Sequence, residues 1–345
     1  MLFLTASEAH CNPCPEFSGL CALWERLALT SEQADPFCCS PPWHLAYHQA
    51  FNPARRLCFR AAPDACLIFA EELLSPEKMY LTPIEASWLF GCPLLGKDAP
   101  ELLADALDDI AGEYAPTFPG IVISGIRPEG RLAPELLRRF GRFFTFYRHA
   151  SSVQCAASLQ GGLDGFLSRR SANHRAKLRK AARQAREHGV CFERHSPASA
   201  EEAAQIYRRM LRVEKLSWKG IGQCGMAESP AKEFYAALIC RLAASGAARI
   251  IFASHEGRDM GFIFGGMAGS IYRGQQFSYD ATWKDWSIGN LLQLEKVTWL
   301  CEEAAQRYDM GPIVGPRMSY KQHWTEQNME IQTWLLRPNR AGRNA

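Results

Sequence analysis

The sequence predicts a mixed α/β fold in two lobes. Three observations predict it. A chain of 345 residues has the length of about two domains, each able to bury its own core. The second half reads strand, helix, helix, three-strand meander, long helix, strand, short helix, strand, which makes a mixed sheet with helices on both faces. The charge also divides by half: residues 1–150 hold 12 Lys or Arg and 18 Asp or Glu, a balance of −6, which leaves +9 of the net +3 for 151–345.

The first half, 1–150, opens with an amphipathic helix around "SGLCALWERLALTSE", striped by Leu20, Leu23, Trp24, Leu27 and Leu29. The stretch "PFCCSPPWHLAYHQAF" is a Pro-broken turn into a second helix from about Trp43. Two strands follow, "RLCFRA" and "ACLIFAEEL", punctuated by "PD". A helix near 99–113, a strand "GIVISGI" and a strand region "FFTFYRH" complete this half, which has no catalytic spacing.

The second half, 151–345, starts with a strand "SSVQCAAS", then a basic helix closed by His188-Gly189. A strand "VCFERH" leads to the helix "SAEEAAQIYRRMLRVEK", with Ser199 as N-cap, and to the helix "SPAKEFYAALICRLAAS". The strands "ARIIFASHE", "DMGFIFGGMAG" and "IYRGQQFSYD" are joined by "EGRD" and "AGS" as an antiparallel meander. A helix from about Ile288 to Gln306, a strand "YDMGPIVG", a helical piece "SYKQHW" and a strand "MEIQTWLLRP" end the chain.

Composition sets limits on function. With 47% apolar and 22% charged residues the chain is globular, neither disordered nor collagen-like. No run reaches the 18 or so apolar residues of a membrane helix, and the N-terminus lacks the basic start of a secretory signal, so a cytoplasmic location is expected. The thirteen Cys then read as reduced thiols. Cys11 and Cys14 form a CxxC near Cys21 but have no fourth ligand at suitable spacing, and no metal is expected.

Three constellations carry chemistry. In "SYDATWKDWSIGNLLQLEKVTWL" a strand ends at Asp280 and a helix starts near Ser287, Ile288, Gly289 and Asn290. Free amides and the positive end of the helix dipole favour a phosphate there, and Gly289 lets the backbone come close. The same pattern fits an ordinary helix start with Ser287 as N-cap. In "EKLSWKG", Glu214 has the character of a general base toward an amine or hydroxyl, beside Trp218 and Lys219. The alternative is a helix C-terminus with Lys215 and Lys219 near the dipole and Trp218 as a packed plug. In "SYKQHW", Tyr320 can donate a proton to a departing thiolate and Lys321 can steady an oxyanion. His255 and Asp309 read as structural residues.

The basic helix belongs to "RRSANHRAKLRKAARQAREH", residues 169–188, with eight Lys or Arg and one acid, Glu187. At 100° per residue Leu178, Ala181, Ala182 and Ala185 share one face, while Arg175, Arg179, Arg183 and Arg186 share another. That ridge is either solvated or meets phosphates of a small donor or acceptor. A tRNA is the weaker alternative, because the acidic first half opposes a broad nucleic-acid face.

Together, "PFCCSPPW" with Trp43, "FLSRRSANHRAKLRKAARQAREHGV", "EKLSWKG", "SYDATWKDWSIGNLL" and "YDMGPIVGPRMSYKQHW" resemble the GNAT N-acetyltransferase superfamily, in its branch of CelD-like acetyltransferase domains related to the FemAB transferases. The resemblance implies two tandem GNAT-like lobes, each a mixed, mostly antiparallel sheet flanked by helices: a degenerate one at 1–150 and an acyltransferase lobe at 151–345. It implies acetyl-CoA or another acyl-CoA as donor and a small amine, less often a hydroxyl, as acceptor in the cleft between lobes. Ser287, Gly289, Asn290 and Leu291 then take the pyrophosphate, although "KDWSIGN" keeps one glycine where typical GNAT loops keep several. Lys321 and Tyr320 take the oxyanion and the thiolate, Glu214 or Asp280 is the base, and Trp218, Lys219, Arg175 and Arg179 bind substrate. FemAB relatives use aminoacyl-tRNA as donor, which is the alternative; a non-catalytic binding protein with a decayed site is the other.

Overall fold

In the computed structural model, residues 1–10, 15–31, 35–75 and 78–339 are described. Cys11 and Cys14 lie outside the described residues. Among the described residues no helix is long and apolar enough to cross a membrane, and no group of three or more His, Cys, Asp or Glu could hold a metal ion.

The chain divides into two compact units, Met1–Ser152 with Glu330–Ala345, and Val153–Met329. The final strand, read from sequence as part of the C-terminal lobe, therefore folds with the first unit. The first unit runs β1 (Leu2–Leu4), α1 (Ala6–His10), α2 (Pro15–Thr30), α3 (Pro41–Phe51), β2 (Leu57–Ala62), β3 (Ala65–Ser75), β4 (Lys78–Thr82), β5 (Leu94–Leu95), α4 (Ala99–Glu113), β6 (Gly120–Ile126), α5 (Leu132–Phe140) and the start of β7 (Phe144–Ser158). The second adds the end of β7, α6 (Gly162–Ser168), α7 (Ala172–Glu187), β8 (Cys191–His195), α8 (Ala200–Leu216), α9 (Trp218–Ile221), α10 (Ala231–Ala244), β9 (Ala248–His255), β10 (Arg258–Ala268), β11 (Ile271–Tyr279), a 3-10 turn (Ala281–Trp286), α11 (Ile288–Glu302), β12 (Arg307–Pro312), a second 3-10 turn (Pro316–His323) and the start of β13 (Gln327–Pro338).

In the first unit the strand order is β1-β2-β3-β4-β6-β13, antiparallel except for β4 against β6. Apolar runs such as "CLIF" in β3 are buried on both faces, as a central strand requires. Trp24 and Leu27 of α2 enter this core, whereas Leu29, counted with the same stripe, is 44% exposed. Two strands read separately from sequence, "FFTFYRH" and "SSVQCAAS", are the single 15-residue strand β7.

In the second unit the order is β7-β12-β11-β10-β9-β8. The meander forms as expected, with Glu256 (φ 48) and Gly257 (φ 74) turning β9 into β10 through the left-handed region that suits a two-residue hairpin. Ser199 and Ser171 cap α8 and α7 by accepting the Glu202 and His174 amides. The face of α7 carrying Leu178, Ala181 and Ala185 is buried, as its 100° spacing demands.

Candidate active site

The site lies in the second unit, where two parallel strands part. β11 pairs with β12 at only three positions, Ile271 with Arg307, Tyr272 with Tyr308 and Arg273 with Asp309. Beyond them β11 continues along β10 to Tyr279, and β12 continues along β7 to Pro312. Each strand has its register shift close to the fork: β11 skips Gln275 between Gly274 and Gln276, and β12 skips Met310 between Asp309 and Gly311. Such bulges re-aim side chains and end pairing.

A buried ion pair holds the crotch of the fork. Arg273 donates to Asp309 Oδ1 at 2.8 Å and to Gln154 Oε1 at 3.1 Å, and the Gly311 amide donates to the same Asp309 oxygen at 3.1 Å. Gly311 sits at φ 71, and a Cβ there would lie 3.2 Å from the Arg273 guanidinium, so this turn needs glycine.

The second 3-10 turn brings Tyr320 and Lys321 to the fork. The Tyr320 ring meets Phe277 of β11 edge-on, centroids 5.4 Å apart, and burial pushes its phenol above the ordinary value. Lys321, 8% exposed, donates to the Pro312 carbonyl at 2.6 Å. Burial, and then the Arg273 charge, bring its ammonium down to about 8, while Cys155 and Asp309 act in the opposite sense. Lys321 thus changes charge near neutral pH.

α8 and α9 bring the second group. Ser217 accepts the amides of Lys219 and Gly220, which starts α9 immediately where α8 stops. Glu214 is fully buried: Oε1 accepts the Met226 amide at 3.0 Å and faces Lys219 Nζ at 3.4 Å, while Oε2 has no hydrogen-bond partner. A Cβ on Gly225 would lie 2.1 Å from Glu214 Oε1, so the loop after α9 closes on the carboxylate with no side chain to spare. Lys219 donates to Gln276 Oε1 at 2.7 Å, and Gln276 Nε2 donates to the Tyr235 hydroxyl at 2.7 Å. Burial holds the Lys219 ammonium below its ordinary value, opposed by Glu214. Trp218, 44% exposed, carries the Arg317 guanidinium 4.4 Å above its ring and so ties α9 to the second 3-10 turn. It is no buried plug.

The third group is the start of α11. Ser287 occupies the cap position at φ 56 but makes no side-chain cap bond, and its carbonyl accepts the Asn290 and Leu291 amides at 2.9 and 3.1 Å. The Ile288 and Gly289 amides precede these first intrahelical bonds, and Ile288 itself is packed in the core. A Cβ on Gly289 would meet the Phe277 ring at 3.1 Å, so this glycine lets α11 lie close on β11. Asn290 is exposed and Leu291 is core.

β11 is therefore the common member: Gln276 holds Lys219, and Phe277 packs on both Tyr320 and Gly289. Other expected site residues stand elsewhere. Asp280 is engaged by Arg258 at 2.7 Å and caps the first 3-10 turn through the Thr282 amide and hydroxyl. Arg175 donates to the Leu167 and Arg170 carbonyls at 3.4 and 2.6 Å, closing the end of α6. Arg179 is exposed on α7. His255 packs against Trp283 and Trp286. Arg273, Gln276 and Gln154 were missed from sequence; the available signal was polar side chains inside strands otherwise buried.

The fork of β11 and β12 thus has the start of α11 on β11, Tyr320 and Lys321 from the second 3-10 turn, and the Glu214–Lys219 pair reached through Gln276. Residues 172–322, a stretch within the second unit, match the family model described as an acetyltransferase (GNAT) domain. No curated protein matches the chain. Among solved structures it is similar to FemX (12% identity, TM-score 0.62, covering 90% of this chain and 95% of that one) and to L-PGS from Bacillus licheniformis (17%, 0.59, 95% and 93%). It is also similar to a conserved protein of unknown function from Bacteroides thetaiotaomicron VPI-5482 (11%, 0.61, 97% and 98%). At these identities the likeness is one of fold.

Proposed function

We propose that the second unit transfers an acyl group, acetyl by default, from coenzyme A to a small amine in the cytoplasm. The observation that carries the reading is that β11 touches both groups from its two faces: Gln276 accepts from Lys219, which pairs with Glu214, and the next residue, Phe277, packs on Tyr320 and against Gly289 at the start of α11. The donor's pyrophosphate lies at the Ile288 and Gly289 amides, with Ser287, Asn290 and Leu291 shaping that end of α11. The amine nitrogen attacks the thioester carbonyl, its proton goes to the Glu214 carboxylate, and the Lys321 ammonium faces the oxyanion. As the C–S bond breaks, Tyr320 gives its proton to the CoA thiolate; a phenol pushed up by burial keeps that proton until it is needed. Lys219 and Trp218 border the acceptor. Asp280, already paired and capping, is the weaker choice of base. Lys321→Ala tests the assignment, with at least a tenfold loss of turnover expected in a folded protein; an unchanged rate removes Lys321 from the mechanism.

The second reading is an aminoacyl-tRNA donor. It is supported by the similarity to FemX and by Lys177, Arg179, Lys180, Arg183 and Arg186, all exposed along α7. A gel shift with charged tRNA at two salt concentrations separates the readings, because a phosphate-backbone contact weakens by orders of magnitude over a modest rise in salt.

A further inference from the structure

The turn that presents Tyr320 and Lys321 is anchored at its far end. The Trp324 amide donates to the Lys321 carbonyl at 2.9 Å, and the Thr325 amide and hydroxyl donate to the same oxygen at 3.0 and 2.9 Å. The Trp324 ring, 1% exposed, stacks on Phe166 and stands edge-on to the imidazole of His174, in the first turn of α7, with centroids 5.1 Å apart. His323, the last residue of the turn, also stacks on His174, 5.7 Å away and 22° from parallel. His174 is only 9% exposed, and its Nε2 has no hydrogen-bond partner.

A buried imidazole with an orphan nitrogen is stable while neutral and costly once charged. The charged or chargeable groups that bear on it are His323 from the turn, Arg170 just ahead of α7, which also pairs with Glu326, and Lys177 one turn along α7. Burial first, then these cations, hold His174 below the ordinary histidine value. A proton there faces positive charge in a dry seat.

We infer that His174 is a positioning residue for transfer: neutral, it seats Trp324 and so holds Lys321 at the fork, and protonated, it unseats the turn and slows the enzyme in acid. The inference rests on the role of Lys321 proposed above. The sign follows from the lowered imidazole: its neutral seat is intact above the ordinary histidine midpoint and is lost progressively as pH falls below it.

The test compares the wild type with His174→Phe, which keeps a ring but takes no proton. Turnover with acetyl-CoA and a primary amine acceptor is measured at pH 7.5 and 5.5, with hydrogen exchange of residues 316–325 corrected for intrinsic rates. The wild type is expected to lose at least fivefold in kcat and tenfold in exchange protection of the turn at the lower pH. His174→Phe is expected to lose less than twofold in protection and at least threefold less in kcat than the wild type, the remaining acid loss being that of the amine and its base. An equal acid loss in the two proteins overturns the inference, as does turn protection in the wild type that does not change with pH. Exchange requires no substrate: a turn that responds as stated in a protein that turns over no acyl-CoA supports the seat and refutes the donor assignment.

Discussion

Lys321→Met replaces a buried ammonium by an apolar chain of similar length, and the structure gives the size of the effect. Burial and Arg273 bring Lys321 from the ordinary 10.5 to about 8, and a shift of that size corresponds to about 3 kcal/mol between the two protonation states. Because the folded value lies below the unfolded one, the ammonium costs the fold this amount below pH 8, and the cost fades as pH rises toward 10.5. Losing the bond to the Pro312 carbonyl removes about 1 kcal/mol at every pH and does not change the slope. Urea unfolding at pH 7 and pH 10 should therefore show the Met variant gaining about 2–3 kcal/mol more over the wild type at pH 7 than at pH 10. Titrations common to both proteins cancel. A difference that stays constant between the two pH values refutes the buried-lysine account. Because the cation is the working form, kcat of the wild type should fall above about pH 8.

Other outcomes follow from the same geometry. Glu214→Gln should lower kcat by about 100-fold or more, measured as the rate at saturating donor and acceptor; a loss under threefold removes it as the base. Asp309→Leu leaves Arg273 buried without its carboxylate and should cost about 3–5 kcal/mol in urea unfolding; a change below 1 kcal/mol contradicts the role given to the pair. Arg175→Ala should lower stability by about 1 kcal/mol through lost carbonyl bonds, whereas Arg179→Ala, on an exposed face, should leave Tm unchanged and raise KM for the donor only if that ridge meets its phosphates.

The second half was more legible than the first because its signals are local. Period-2 alternation, the hairpin turn at Gly257, the Gly189 stop and Ser199 at a helix start each act within a few residues, and the meander, α7 and α8 follow them. β7 was divided at Ala150 because the residues around it, Arg148, His149 and Ser151, are polar and exposed, which in sequence resembles a loop. The assignment of β13 to the first unit is a long-range pairing with β6 that no window contains.

At the site, the motif residues Glu214, Lys219, Tyr320, Lys321 and Gly289 were readable as types at spacings. What joins them was not. Arg273 and Gln276 sit in β11 as polar interruptions of a buried strand, and only the fork with β12 gives them partners. Asp280 and Arg175 show the converse: residue types suited to catalysis or phosphate binding that are engaged by Arg258 and by helix-end carbonyls. A sequence states which groups are available, and their neighbours decide which remain open.

The most direct measurement is calorimetric titration of the intact chain with acetyl-CoA. The account predicts a saturable one-to-one heat below millimolar ligand; no heat at millimolar acetyl-CoA, with charged tRNA binding instead, contradicts it.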